Sequence, residues 1–80
     1  MNVLDLHGYN LQDAYNETLV FLRDMHKDKV KKVKVITGKG AIANEFPFWI
    51  EKSSYIKKFE STDDGGCWYV TMADQYRPIM

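Results

Sequence analysis

The sequence LDLHG at residues 4–8 and the sequence VITGKG at residues 35–40 decide the fold of this chain. Each motif ends a strand-like run and stands before a helix-like segment. Because a right-handed βαβ unit brings the carboxyl ends of its two parallel strands to one edge of the sheet, both motifs are expected at that edge. Open α/β sheets bind ligands there, so the sequence predicts a functional site at this edge.

The remaining pattern predicts two helices and four strands in the order β-α-β-α-β-β. Apolar or small residues recur at three- and four-residue spacing after Asn10, a good N-cap residue, and Pro47 is expected in the first turn of a second helix. The predicted elements are strand 2–7, helix 10–25, strand 33–37, a short helix over about 45–53, strand 55–59, a turn at 62–66 and strand 68–72. The fold class is therefore α/β, a two-layer sandwich whose mixed four-stranded sheet is parallel in its first part and ends in an antiparallel hairpin.

Length and composition indicate one small globular domain, predicted at residues 1–73, followed by a tail at 74–80. The chain has 80 residues and a formal net charge of zero, yet lysines cluster between residues 27 and 39. The aromatic residues are expected in the core, namely Phe46, Phe48, Trp49, Tyr55, Phe59 and Tyr69. The single cysteine, Cys67, and the lack of an apolar leader or membrane-length segment predict a cytoplasmic protein with no membrane partner.

The residues at the predicted edge suit phosphate chemistry. His7 can act as acid or base near neutral pH, and Asp5 can orient its ring or hold a cation. Lys39 lies between two glycines whose backbone N–H groups can point at an anion, and the Thr37 hydroxyl can donate a further hydrogen bond. The structural alternative is that the Asp5 carboxylate only caps the backbone of the turn. The Gly-Lys-Gly turn lacks the glycine spacing of a Walker A loop, which argues against nucleotide binding of that kind.

The chain resembles the small MutS-related (Smr) domain family. The LDLHG and TGKG motifs, the Pro47-x-Trp49 segment and the Gly65-Gly66 turn follow in the family's order over nearly the whole chain. The resemblance implies a fold similar to the C-terminal domain of translation initiation factor three, and an endonuclease that nicks DNA or cleaves RNA.

By this resemblance the Asp-x-His pair and the glycine turn are the functional motifs. Two features matter within the family pattern, because residue 37 is threonine and not the histidine of the other variant of the (His or Thr)-Gly-x-Gly turn, and the connection from residue 40 to residue 47 is shorter than in longer relatives. Trp68, beside the late glycines, is a candidate for stacking on an unpaired base. The candidate catalytic residues are Asp5 and His7, and the candidate nucleic-acid-binding residues are Gly8, Thr37, Gly38, Lys39, Gly40 and Trp68.

Three alternatives stay open for the function. The first is an endonuclease that hydrolyses phosphodiester bonds, with magnesium or manganese near Asp5 as the candidate cofactor and no zinc site of familiar spacing. The second is a non-catalytic module that binds DNA or RNA in association with the ribosome or with repair proteins. The third is a protein-interaction domain that uses the end of the hairpin.

Overall fold

The computed structural model describes residues 2–62 and 64–73, which form four strands and two helices in the predicted order. The elements are β1 (Asn2–Asp5), α1 (Leu11–Lys27), β2 (Lys32–Ile36), α2 (Ala41–Ile50), β3 (Ile56–Ser61) and β4 (Cys67–Met72). The predicted tail at 74–80 and residue 63 of the predicted turn lie outside the described residues.

The sheet has the strand order β1-β2-β4-β3 and confirms the predicted mixture of directions. Strands β1 and β2 are parallel, with Asp5 opposite Ile36, and β4 runs antiparallel to both β2 and β3. The register places Cys67 opposite Ile36, so β4 begins at the edge where β1 and β2 end. Three strands therefore deliver their connecting segments to the predicted functional edge.

Both helices pack on one face of the sheet. Helix α1 is capped by the Asn10 side chain, which accepts a hydrogen bond from the Asp13 backbone N–H at 2.8 Å, as its sequence predicted. Buried residues of both helices and of the facing sides of the strands form one core, made of Leu6, Ala14, Leu22, Val33, Val35, Phe46, Ile50, Val70 and Met72. None of the helices in the described part of the chain is long and apolar enough to cross a membrane.

Several predicted boundaries differ from the structure, and two of them bear on the functional edge. Helix α2 begins at Ala41 rather than near Glu45, so Pro47 lies inside it. Proline deprives the helix of one backbone hydrogen bond, but Phe46 and Ile50 bury their side chains in the core, and this tertiary packing outweighs the local cost. Strand β1 ends at Asp5 rather than at His7, because the chain turns at Leu6–Tyr9, where the Tyr9 backbone N–H donates to the Leu6 carbonyl.

The aromatic residues are not all in the core. Phe46 is fully buried, and Trp49, Tyr55 and Phe59 pack against the core from its margin, as predicted. Phe48 is 69% exposed, which contradicts the prediction, because it points away from the sheet on the outer side of α2. The helical spacing of residues 46 and 50 sets the buried side of this helix, and residue 48 falls opposite to it.

Candidate nucleic-acid interface

Three chain segments meet at the functional edge of the sheet. They are residues 5–8 after β1, residues 37–40 after β2, and residues 64–66 before β4. The backbone N–H groups of Thr37 and Gly38 both donate to the Gly66 carbonyl, each at 3.0 Å. The second and third segments are thus joined backbone to backbone, which fixes the two glycine turns relative to each other.

The Thr37 side chain lies inside this edge and completes its hydrogen bonding. It is 4% exposed, and its hydroxyl accepts from the Trp68 indole N–H at 3.2 Å. The same hydroxyl donates to the Gly38 carbonyl at 2.9 Å, with the Gly66 carbonyl 3.4 Å away. Sequence reasoning expected this hydroxyl to face a phosphate, whereas its observed contacts hold the edge together.

The Trp68 ring packs against two other aromatic rings. Its ring centroid lies 5.4 Å from that of Phe46 and 5.9 Å from that of Phe59, and both pairs are tilted. The side chain is half-buried and belongs to the margin of the core. The position of Trp68 beside the glycines suggested that its ring stacks on an unpaired base. Such stacking would compete with the packing of the ring against Phe46 and Phe59.

The turn at residues 38–40 leads directly into α2. Gly38 has φ +72°, a conformation that residues with a side chain rarely adopt, and an added Cβ would meet nothing within 4 Å. Gly40 is the N-cap of α2 and offers no side-chain cap, so the first helical N–H groups remain without intrahelical partners. The sequence predicted a connecting loop here, and the structure has the positive end of a helix instead.

Lys39 is exposed at the tip of this turn. Its side-chain stem passes over Gly66, where an added Cβ would come within 3.8 Å of Lys39 Cγ. Its ammonium group, the glycine turn and the start of α2 all contribute positive potential to the same place. This is the part of the edge best suited to an anion.

Asp64 is a neighbour that sequence reasoning missed. Its Oδ1 accepts hydrogen bonds from the Gly66 backbone N–H at 2.9 Å and from the Thr62 hydroxyl at 2.7 Å. The Gly66 hydrogen bond, then that of Thr62 and then the charge of Lys39 lower the pKa of Asp64 from its ordinary value of 3.8. The Thr-x-Asp-Gly-Gly sequence signals such a turn, but only the fold brings its carboxylate near Lys39.

Asp5 and His7 are joined in the way that the structural alternative predicted, with Asp5 capping the backbone of the turn. Oδ1 of Asp5 accepts from the backbone N–H of His7 at 2.9 Å, which makes a local turn rather than a carboxylate–imidazole pair. Both side chains are exposed, and within the described residues no side chain makes a hydrogen bond to the imidazole. Gly8, with φ +86°, then turns the chain towards α1. The other histidine, His26, lies at the far end of α1, with its ring 5.0 Å from that of Tyr55.

The residues around Asp5 do not fit a dedicated site for a divalent cation. Within the part of the chain that the structure describes, no group of three or more His, Cys, Asp or Glu residues could hold a metal ion. Hard cations favour several oxygen ligands, and one oxygen of Asp5 already accepts a backbone hydrogen bond.

Comparison with known proteins identifies related folds. The family model described as the Smr domain matches residues 4–72. The Smr domain of Thermus thermophilus MutS2 superposes with a TM-score of 0.85 at 15% identity, over 91% of this chain and 99% of that one. YdaL, a stand-alone small MutS-related protein from Escherichia coli, superposes with a TM-score of 0.80 at 16% identity, over 88% of this chain and 63% of that one. No curated protein matches the chain by sequence.

Proposed function

Because the chain belongs to the Smr domain family, we propose that its functional edge binds DNA or RNA and hydrolyses a phosphodiester bond there. The observation that carries the proposal is the meeting of residues 5–8, 37–40 and 64–66 at one edge, locked by the two hydrogen bonds to the Gly66 carbonyl. This meeting brings a titratable imidazole, a cation and a helix N-terminus to the same edge of the sheet.

The binding half of the proposal rests on residues 37–40 and the start of α2, which are suited to bind an anion. Lys39, the glycine turn and the first N–H groups of α2 would hold the non-bridging oxygens of one phosphate. Thr37 acts behind them by fixing the turn through its hydrogen bonds to Trp68 and Gly38. The negative charge of the Asp64 carboxylate, near Lys39 at Gly66, favours entry of the phosphate from the side of the turn away from it.

The catalytic half of the proposal gives His7 the role of general base. Its imidazole accepts a proton from the attacking water, the new bond to phosphorus forms, and the bond from phosphorus to the leaving sugar oxygen breaks. That oxygen takes a proton from solvent water or from Lys39, so the products are a phosphate monoester and an alcohol. Asp5 serves this step by holding the turn that carries His7, through the hydrogen bond at 2.9 Å.

A non-catalytic nucleic-acid-binding module is the second candidate function. The observation that favours it is that Asp5 bonds the His7 backbone and leaves the imidazole without an orienting partner among the described residues. Residue 37 also supplies a buried hydroxyl in place of a second imidazole. On this alternative the edge binds the phosphate groups of a nucleic acid but does not hydrolyse a phosphodiester bond.

Cellular context forms part of the same proposal. We place the protein in the cytoplasm, where a reducing environment suits the half-buried free thiol of Cys67. A ribosomal or repair-protein partner would bring the domain to its nucleic acid. Co-purification with ribosomes, before and after nuclease treatment, tests that part separately.

The deciding experiment compares wild type with His7→Ala and with a control, His26→Ala. Labelled single-stranded RNA, supercoiled DNA and linear duplex are incubated with each protein, with EDTA and with magnesium or manganese. The proposal expects cleavage of one substrate to fall by roughly 10²–10⁴-fold in His7→Ala, the usual contribution of a general base, while binding and the control stay unchanged.

The companion variant is Lys39→Ala, with Lys52→Ala as its exposed control. Lys39→Ala should weaken binding and lower the salt dependence of affinity, by about 0.7–0.9 in the slope of log K against log salt. If wild type binds but cuts none of the substrates, the binding module is the correct function. Absence of both binding and cleavage would overturn the proposal.

A further inference from the structure

The sheet has a second face that neither helix covers. Helices α1 and α2 pack on the side of Val33, Val35 and Val70, so alternate residues point to the opposite side. We call this side the open face; it is formed by Val3, Asp5, Lys32, Lys34, Ile36, Lys58, Glu60, Cys67, Tyr69 and Thr71. Within the described residues no other element lies over it.

Lysines occupy the half of the open face that is far from the functional edge. Lys32 and Lys58 are both opposite Thr71, one on each neighbouring strand. Lys34 is opposite Tyr69, and its Nζ lies 5.8 Å from the centre of the tyrosine ring. Three lysines thus belong to the rows of Tyr69 and Thr71, and Glu60, opposite Tyr69 on β3, adds a carboxylate beside them.

A shallow depression joins this lysine-rich half to the functional edge. Its volume is about 550 Å³, and its lining runs from Lys34 and Tyr69 through Cys67 to Asp64. Asp64 is the carboxylate beside Lys39, so the depression leads towards the proposed phosphate site. Of the acidic residues of the open face, Asp5 lies nearest that edge, whereas Glu60 lies opposite Tyr69 and lines the depression.

We propose that the open face binds single-stranded nucleic acid, with its backbone over Lys32, Lys34 and Lys58 and a base stacked on Tyr69, and guides the strand along the depression to the edge. The inference rests on the proposed function, because it specifies which form of nucleic acid that edge receives.

The chemistry of the face selects a single strand over a duplex. An aromatic ring on the face of a sheet can stack only on a base that is not already stacked and paired. Every base has a flat ring surface that can make such a contact. Lysines spaced across adjacent strands neutralise successive phosphates of a flexible chain. Along the depression, the Glu60 and Asp64 carboxylates can accept hydrogen bonds from the amino groups of bases, which a free strand exposes.

The test measures affinity by fluorescence anisotropy for short single-stranded RNA, the same sequence as DNA, and a duplex, over a series of salt concentrations. The variants are Lys34→Gln, Lys58→Gln and Tyr69→Val, since valine keeps the strand propensity of the site. The controls are Lys27→Gln and Lys52→Gln, which remove the same charge from exposed positions at helix ends, and Tyr69→Phe, which keeps the ring.

We expect single strands to bind more tightly than the duplex, and each open-face lysine variant to lower the salt slope by about 0.7. Tyr69→Val should weaken single-strand binding by roughly 5- to 150-fold, the range for the loss of one base-stacking contact, whereas Tyr69→Phe and both lysine controls leave it unchanged. The RNA and DNA arms identify which strand is preferred.

Unchanged binding in all three open-face variants, together with weakened binding in Lys39→Ala, would overturn this inference and leave the proposed function standing. Failure of wild type to bind any of the nucleic acids would overturn both. Shifts of the backbone amide NMR signals of Lys34, Tyr69 and Thr71 in wild type on addition of the oligonucleotide give the same answer without a substitution.

Discussion

Thr37→Val tests whether the Thr37 hydroxyl holds the functional edge together. Valine keeps the shape of threonine but removes the acceptor for the Trp68 indole N–H at 3.2 Å and the donor to the Gly38 carbonyl at 2.9 Å. Leaving such buried groups without partners costs about 1–3 kcal/mol, and the partial exposure of Trp68 points to the lower half of that range. We expect the free energy of unfolding to fall by about 1–2 kcal/mol, equivalent to roughly 5–15 °C in Tm.

Urea unfolding of a double-mutant cycle isolates the hydrogen bond. Thr37→Val and Trp68→Phe are measured singly and together, with circular dichroism as the signal, because Trp68→Phe alters the fluorescence. A coupling of about 0.5–1.5 kcal/mol is expected, and Thr71→Val on the open face serves as a control for the loss of a half-buried hydroxyl. Additive effects would refute the structural role of the bond. A loss of nucleic-acid affinity in Thr37→Val at unchanged stability would instead make Thr37 a phosphate ligand.

Gly38→Ala should destabilise the protein by about 1–2 kcal/mol because of its φ of +72°, whereas Gly40→Ala, at a φ of −100°, should cost less; a thermal melt of each compares them. The backbone hydrogen bond that lowers the pKa of Asp64 below 3.8 implies stability that is present above that pH and lost as pH falls through the folded-state pKa. Free energies of unfolding of wild type and Asp64→Asn, measured against pH, should therefore converge below about pH 4, and a constant difference would contradict this. Phe46→Ala should cost about 3–5 kcal/mol in urea unfolding, since Phe46 is fully buried, while Phe48→Ala at a 69% exposed position should stay within about 0.5 kcal/mol.

The sequence predicted the order of elements because its periodicity and its glycines are unambiguous. Asn10 caps α1 as expected, and Gly38, two residues after the end of β2, has the positive φ that glycine adopts readily. The start of α2 could not be predicted, because the proline rule is local and the burial of Phe46 and Ile50 that overrides it is a property of the tertiary structure.

The location of the candidate site followed from strand direction, while the contacts within it did not. Parallel β1 and β2 bring residues 5–8 and 37–40 to one edge, as the βαβ argument required. The alternation of Asp5 and His7 suggested one strand face, yet the chain turns after Asp5, and the carboxylate bonds a backbone N–H instead. The burial of Thr37 and the position of Asp64 depend on the crossing of β4, which no local pattern encodes.

The central position of β4, the last strand of the described chain, determines when the sheet can form. Strands β2 and β3 are not neighbours, so each keeps an unpaired edge until β4 enters between them. During synthesis the β1-α1-β2 unit therefore cannot complete the sheet before residues 67–72 have been made. Every pairing of β4 with β2 joins residues that are at least 31 positions apart in the sequence. Folding should be all-or-none and late, and a chain that stops before β4 would leave β3 and the inner edge of β2 unpaired and would aggregate.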